Sequence, residues 1–407
     1  MAQAPGLRTA AYRSIPLLSC VFMRVPLLDV RRQNLPLEAE LSAAFERVLR
    51  SGQFILGAEV EQFESAAAAI AGARFGIGVS SGTDAILIAL MALAIGPGDE
   101  VICPSFTFFA TAGCVARVGA VPVFVDSCAE CFNLDPAGIE RLITPRTKAI
   151  IPVHLFGQPA DLDDILEVAR RHNLAVIEDA AQAFGAEYRG RPVGSIGEFG
   201  TISFFPSKNL GALGDAGLVV TNDPSLAEKA RRLRNHGMHP KYFHSMVGGN
   251  FRLDALQAAL LAAKLPHLPE YTARRQKNAA EYTRALAGAA TGAAIAISPP
   301  MIHPDRTHIA NQYTIRVRRG PAWRHRESPR DALRRRLVER GIASEIYYPL
   351  PLHAQECFLG CGPHPVLPVA EEAAREVLSL PVFPELTAEE TASVAAEILQ
   401  FASETNG

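Results

Sequence analysis

The chain has 407 residues, 48% of them hydrophobic, with 40 basic and 42 acidic side chains and a net charge of -2. That length and apolar content can bury a sizeable core, organised as a large domain plus a smaller one, and exclude disorder across the bulk. The balance of charge gives no electrostatic reason to expect nucleic acid or an anionic membrane as a partner, which leaves a small discrete substrate.

Residues 1–22 carry Arg8, Arg13 and a short apolar run, Ile15 to Phe22, broken by Pro16. The run lacks a small-residue cleavage site, so the segment reads as a disordered or dispensable extension ahead of Met23. No apolar run reaches the roughly 18–20 residues that span a bilayer, and a cytoplasmic protein is expected. The 7 irregularly spaced cysteines do not resemble a disulfide framework and suit a reducing compartment.

Short β-branched runs then alternate with helical patterns. FGIGV (75–79), EVICP (100–104), PVFVD (122–126), AIIPVH (149–154), AVIEDA (175–180), TISFF (201–205) and LVVTN (218–222) read as strands. A helix opens at Thr83 or Asp84, and DLDDILEVARRHN places Leu162, Ile165, Leu166 and Val168 near helical spacing with Asn173 as its stop. The class is α/β, a mostly parallel sheet covered on both faces. Past Leu265 the alternation loosens: Pro266 and Pro269 interrupt, and a basic helix runs from Tyr271 to Leu286. The expected division is a large domain over 23–265 and a smaller C-terminal α+β domain over 266–407.

Four segments end strands with unusual chemistry, where ligands gather in such sheets. GIGVSSGTDAIL turns from strand to helix through small residues, so free N–H groups and the helix dipole face an anion, most naturally phosphate. In AVIEDAAQAFGA, Asp179 closes an apolar strand, where a carboxylate needs a cation or strong donors; a helix cap is the plain alternative. Lys208, in SFFPSKNLGALGDAG, is a lone cation in apolar surroundings that lower its pKa and suit it to a Schiff base, with Ser203 and Ser207 as phosphate-holding hydroxyls. Phe106, Phe108 and Phe109 in VICPSFTFFATAG offer a ring to stack on a planar group. A phosphate cradle, an acid for a ring nitrogen, a Schiff-base lysine and an aromatic plate are together the demands of pyridoxal phosphate.

The order SSGTDA, PSFTFFAT, IEDAAQAFGA, SFFPSKNLGALGDAG and GGNFRLDALQAA resembles the DegT/DnrJ/StrS family of sugar aminotransferases, from near Met23 to the C-terminus. The resemblance implies a three-layer fold of the pyridoxal-phosphate transferase type. It implies that Lys208 is catalytic and holds the cofactor, that Asp179 pairs with the pyridine nitrogen, Gln182 with the ring hydroxyl, and that Phe108 stacks. Gly82, Thr83 and Ser203 would hold the phosphate, and Asn250, with Arg252 beside it, would reach the cofactor of a neighbouring subunit, which requires a homodimer with shared sites. L-glutamate would give its amine and a ketosugar on a nucleotide diphosphate would receive it. ASEIYYPLPLHAQ (343–355) resembles a segment of members that aminate a 3-keto carbon, implying Tyr347, Tyr348 and His353 beside the sugar, with Tyr313 of NQYTIR nearby. A 4-keto sugar is the alternative.

Other readings use other residues. Gly78 to Gly82 matches the GxSxG elbow of a serine hydrolase, with Ser80 as nucleophile, Asp179 and a later histidine. A sensor could keep the cofactor without turnover. Cys128 with Cys131, and Cys357 with Cys361 near His353 and His364, could hold zinc, but the pairs lie far apart and buried or half-buried thiols are expected, with no metal.

Overall fold

In the computed structural model, residues 24–287, 294–361 and 365–406 are described. Among these residues, twelve strands form three sheets: β1 (Phe75–Val79), β2 (Glu100–Pro104), β3 (Val121–Val125), β4 (Thr147–Ile150), β5 (Ala175–Asp179), β6 (Glu187–Tyr188), β7 (Arg191–Pro192), β8 (Phe199–Ser203), β9 (Gly217–Thr221), β10 (Ile295–Ser298), β11 (Tyr313–Arg319) and β12 (Val377–Leu380).

The large sheet has the order β1-β9-β8-β5-β4-β2-β3. Five neighbouring strands from β8 to β3 are mutually parallel, while β9 runs antiparallel to both β8 and β1. Because β9 is reversed, it begins at the edge where the other six strands end. Asp215 and Ala216, just before it, therefore share that edge with the residues that follow β1, β2, β5 and β8.

Buried helices explain the continuous apolar runs of these strands. The helix Gly82–Ala92 is buried around nearly its whole circumference, and Ser81 caps it by accepting from Asp84 N–H at 3.1 Å. The cap moves the helix start to Gly82. Helix Leu162–His172 keeps Leu162, Ile165, Val168 and Ala169 inward and its charged face outward, ending at Asn173 in the left-handed conformation.

Three observed boundaries depart from the sequence pattern. β4 stops at Ile150 because Pro152 has no N–H for the ladder. β8 ends at Ser203; Phe204 is buried against Phe63 and Phe184, both at 5.3 Å between ring centroids, and Phe205 is left exposed as the chain turns. Pro269 does not interrupt a helix but opens one: the helix spans Leu268–Leu286 with the proline in its first turn, where its missing N–H costs nothing.

β10, β11 and β12 form the three-stranded antiparallel sheet. Its core joins Tyr313, Ile315 and Leu378 to the helices Leu268–Leu286, Pro329–Glu339 and Ala388–Asn406. Val25 belongs to this core too, bridging Ile342. Among the described residues, no helix is long and apolar enough to cross a membrane.

Beneath the edge of the large sheet lies a fully buried pair, His154 and Glu178, with Nε2 3.1 Å from Oε2. Ala160 N–H donates to His154 Nδ1 at 3.1 Å, which assigns the imidazole proton to Nε2. Glu178 also accepts from the N–H groups of Gly194, Ile196 and Gly197 at 2.7–2.8 Å. Burial pushes its pKa up, but the histidine bond and these amides outweigh that and hold it below the usual carboxylate range. Replacing Glu178 with Ala strands four buried donors and is expected to cost about 3–5 kcal/mol, read as a large fall in the urea midpoint; an unchanged midpoint contradicts this role.

Candidate active site

Between the two larger sheets, at the strand-end edge, is a cavity of about 450 Å³. The last residue of β5 and the helix after β1 face it, as does the turn after β8. Its lining includes Gly82, Thr83, Phe108, Asp179, Gln182, Ser203, Lys208, Tyr347 and Tyr348. Nine of the residues expected at a cofactor or substrate site are thus brought together.

Asp179 is 5% exposed. Its Oδ2 accepts from Thr111 Oγ1 at 2.8 Å and its Oδ1 from Ala181 N–H at 3.2 Å. Burial raises its pKa against the pull of these two donors and of Lys208. A carboxylate has about four acceptor positions, so this one retains capacity for a charged donor from within the cavity.

Lys208 is half-buried as a residue, yet its amine is desolvated. Burial lowers its pKa to about 8; Asp179 opposes the fall and the guanidinium of Arg275 assists it. Arg275 is 1% exposed and donates through one nitrogen to the carbonyls of Ala310, Asn311 and Val382 at 3.4, 3.2 and 2.8 Å.

The cradle is built by close approach. A Cβ on Gly82 would lie 2.7 Å from Ser203 Cβ, so only glycine lets the helix start sit against the end of β8. The first intrahelical bond from this start is made by Ala85 N–H to Ser81, leaving the N–H groups of Gly82 and Thr83 ahead of the ladder. Gln182 is oriented by Phe156 N–H, which donates to its Oε1 at 2.6 Å, so that its Nε2 donates to the Tyr348 hydroxyl at 3.3 Å. Phe108 is 56% exposed, an aromatic face left open beside the cavity.

Four expected residues do not line this cavity, two of them, Asn250 and Arg252, being expected at a neighbouring subunit's site. Asn250 is exposed and Arg252 donates to Asn235 Oδ1 at 2.7 Å; neither lines the cavity. Tyr313 points its hydroxyl to Thr283 at 3.0 Å and packs on Tyr282, while the preceding residue, Gln312, lines the cavity. His353 is buried against Ser105 and does not line it either. Ser80 donates to Asp84 Oδ2 at 2.6 Å rather than to a histidine. Cys357 is exposed, Cys128 and Cys361 are half-buried, and His364 lies outside the described residues; among those described, no group of three or more His, Cys, Asp or Glu could hold a metal.

A family model described as the DegT/DnrJ/EryC1/StrS aminotransferase family matches residues 36–399. The chain belongs to this family. It is 50% identical to a pleiotropic regulatory protein of Geobacillus stearothermophilus, over 93% of this chain and 99% of that one. It is 46% identical to a UDP-N-acetyl-3-dehydro-α-D-glucosamine 3-aminotransferase of Acidithiobacillus ferrooxidans, over 92% and 97% respectively. The structure of S. venezuelae DesV in complex with a ketimine intermediate matches with a TM-score of 0.87 at 45% identity, over 93% of this chain and 98% of that one. Like other members of the DegT/DnrJ/EryC1/StrS family, the protein is a pyridoxal-phosphate-dependent aminotransferase. The buried acid with acceptor positions to spare, the desolvated amine and the glycine-floored cradle fit that cofactor.

Sequence reasoning missed Thr111 and Arg275. Thr111 sits in an alanine-rich helix start with no local mark of its partner; Arg275 carried a signal, standing four residues after Tyr271 and seven before Tyr282 on the buried face of its helix. Two outcomes follow from this geometry. Thr111→Val should weaken cofactor retention by about five- to tenfold, the loss of one hydrogen bond to a charged group, with Thr111→Ser restoring it; equal retention in dialysis would show the bond to be idle. Because a lysine attacks as its neutral amine, reconstitution of cofactor-free protein should speed up as pH rises and level off above about 8; a rise continuing toward 10.5, the ordinary lysine value, would contradict the desolvated amine.

Proposed function

We propose that this aminotransferase carries an amino group from L-glutamate to a 3-keto sugar linked to a nucleoside diphosphate, working as a homodimer with shared sites. The observation that carries the reading is the single cavity joining a desolvated Lys208 amine, a buried Asp179 and a Gly82–Ser203 cradle to the aromatic pair Tyr347 and Tyr348. The 3-keto preference is supported by the Acidithiobacillus relative, whose name places its reaction at that carbon. Tyr242, Phe243 and Val247, all within eight residues of Asn250 in the chain, are 77%, 69% and 87% exposed, and apolar side chains left in water there support a second copy as partner.

Bound here, pyridoxal phosphate supplies an electron sink for the carbon that carries the amine. The protein's side chains do the rest. Asp179, steadied by Thr111, presents its negative charge to the ring nitrogen and holds a proton there. Ser203 and the N–H groups of Gly82 and Thr83 bind the phosphate at the positive end of the helix dipole. Gln182 directs its amide at the ring hydroxyl, and Phe108 covers one face. Lys208 Nζ, with a pKa brought down to about 8, takes up and returns a proton within the working pH range, as a general acid and base needs. Tyr347 and Tyr348 exclude water on the sugar side, and Asn250 and Arg252 serve the neighbouring copy's phosphate.

One experiment tests the donor and the acceptor together. With ¹⁵N-labelled L-glutamate and a panel of UDP- and dTDP-linked 3-keto and 4-keto sugars, mass spectrometry should find ¹⁵N in a 3-amino sugar nucleotide. Label only in a 4-amino sugar overturns the 3-keto assignment, and label in none of the panel overturns the proposed donor and acceptor pair. Lys208→Ala should abolish transfer, and Asp179→Asn should keep some cofactor but lower the rate by at least about 100-fold, as expected for loss of a charge acting in the transition state.

A further inference from the structure

The segment that brings Tyr347 and Tyr348 to the cavity ends on His353, whose side chain is held elsewhere. His353 Nδ1 lies 2.6 Å from Ser105 Oγ, and its Nε2 lies 3.5 Å from Glu371 Oε1. Ser105 follows β2 directly and is fully buried. Its carbonyl accepts from Leu352 N–H at 2.8 Å, and its hydroxyl receives His353 N–H at 3.5 Å. One serine therefore grips the tyrosine segment through backbone and side chain at once. From the same strand end, Thr107 and Phe108 continue into the cavity wall. The two walls also touch through rings: Phe106 and Phe108 lie 6.0 and 6.3 Å from Tyr348.

Serine, histidine and an acid in this order can make a nucleophile. Here the serine is 0% exposed and lines none of the cavities described, so no substrate meets its hydroxyl. What the arrangement can do is mechanical. A buried hydrogen bond between side chains from sequence positions 248 apart fixes one wall of the cavity relative to the other. Lys208, Asp179 and the phosphate cradle hang on β5, β8 and the helix after β1. Gln182 meets the Tyr348 hydroxyl at 3.3 Å but is anchored on its other side by Phe156 N–H at 2.6 Å, so the amino-donor machinery keeps its own supports.

We propose that the Ser105–His353 hydrogen bond is a latch that positions Tyr347 and Tyr348 for the sugar acceptor, making His353 a positioning residue. It governs acceptor binding and leaves the amino-donor half-reaction alone. The inference rests on the aminotransferase reading with two half-reactions proposed above.

The test uses Ser105→Ala, His353→Ala and the double variant, each loaded with pyridoxal phosphate. Three quantities are read: loss of visible absorbance with L-glutamate, KM for UDP- and dTDP-linked 3-keto sugars, and amide hydrogen exchange over residues 344–348. The donor half-reaction should stay within about twofold of the parent, while acceptor KM and exchange both rise about tenfold in each single variant, the scale of one buried hydrogen bond. The double variant should add little further, since the Ser105–His353 side-chain bond is lost in both changes. His353→Asn, which keeps an acceptor where Nδ1 stands, should restore both quantities and serves if an alanine variant fails to fold. A raised KM in His353→Ala with a normal KM in Ser105→Ala would mean that His353 touches the sugar itself, and overturns the latch. Equal loss of both half-reactions overturns it as well. If the parent protein aminates no sugar in the panel, the functional reading fails, and hydrogen exchange alone decides the latch: faster exchange at 344–348 upholds it and unchanged exchange overturns it.

Discussion

An acid and an amine are held out of water against one cavity, and the architecture is organised around the cost of doing so. Burial drives a carboxylate pKa up and a lysine pKa down, by as much as about 3–5 units when nothing compensates. At Lys208 the fall stops at about 8 because Asp179 counteracts it. The two groups come from neighbouring strands: β5 ends on Asp179 and β8 leads through Pro206 to Lys208. Parallel pairing brings both C-terminal ends to the same edge, which a hairpin between them would not.

Other features follow from keeping those charges usable. Thr111 reaches from the helix after β2 to steady the acid, and the His154–Glu178 pair braces the strand beneath it. Arg275 adds positive charge behind the lysine while its own charge is spread over three carbonyls. The segment joined to β12 by the Glu345–Ser379 bridge brings Tyr347 and Tyr348 to the cavity. Polar chemistry thus comes from the strand ends of the large sheet, while the tyrosine wall comes from a segment later in the chain that packs on the large sheet's core.

Much of this was legible in the sequence because buried parallel strands read as unbroken apolar runs, and a charged residue at the end of such a run stands out. Asp179 and Lys208 are of that kind. Strand order and the reversal of β9 were not legible, since LVVT pairs equally well in either direction and its neighbours are chosen by the loops. Pro269 looked like an interruption because proline's effect depends on whether it falls in the first turn or the interior of a helix. The YYPLPLH stretch marks an unusual segment but does not say which side chain enters the cavity; the contact between His353 and Ser105 exists only once β2 and that segment meet. Thr111 is hidden for the same reason.

The most direct test of the central claim, that Lys208 and Asp179 operate one amine-transferring cofactor site, is the absorbance spectrum of the purified protein loaded with pyridoxal phosphate, followed on adding L-glutamate and then, after its removal, a nucleotide-linked ketosugar. The account predicts a visible band that gives way to near-ultraviolet absorbance with glutamate and returns with the ketosugar. A protein that forms no visible band, or one whose band is unmoved by glutamate, contradicts it.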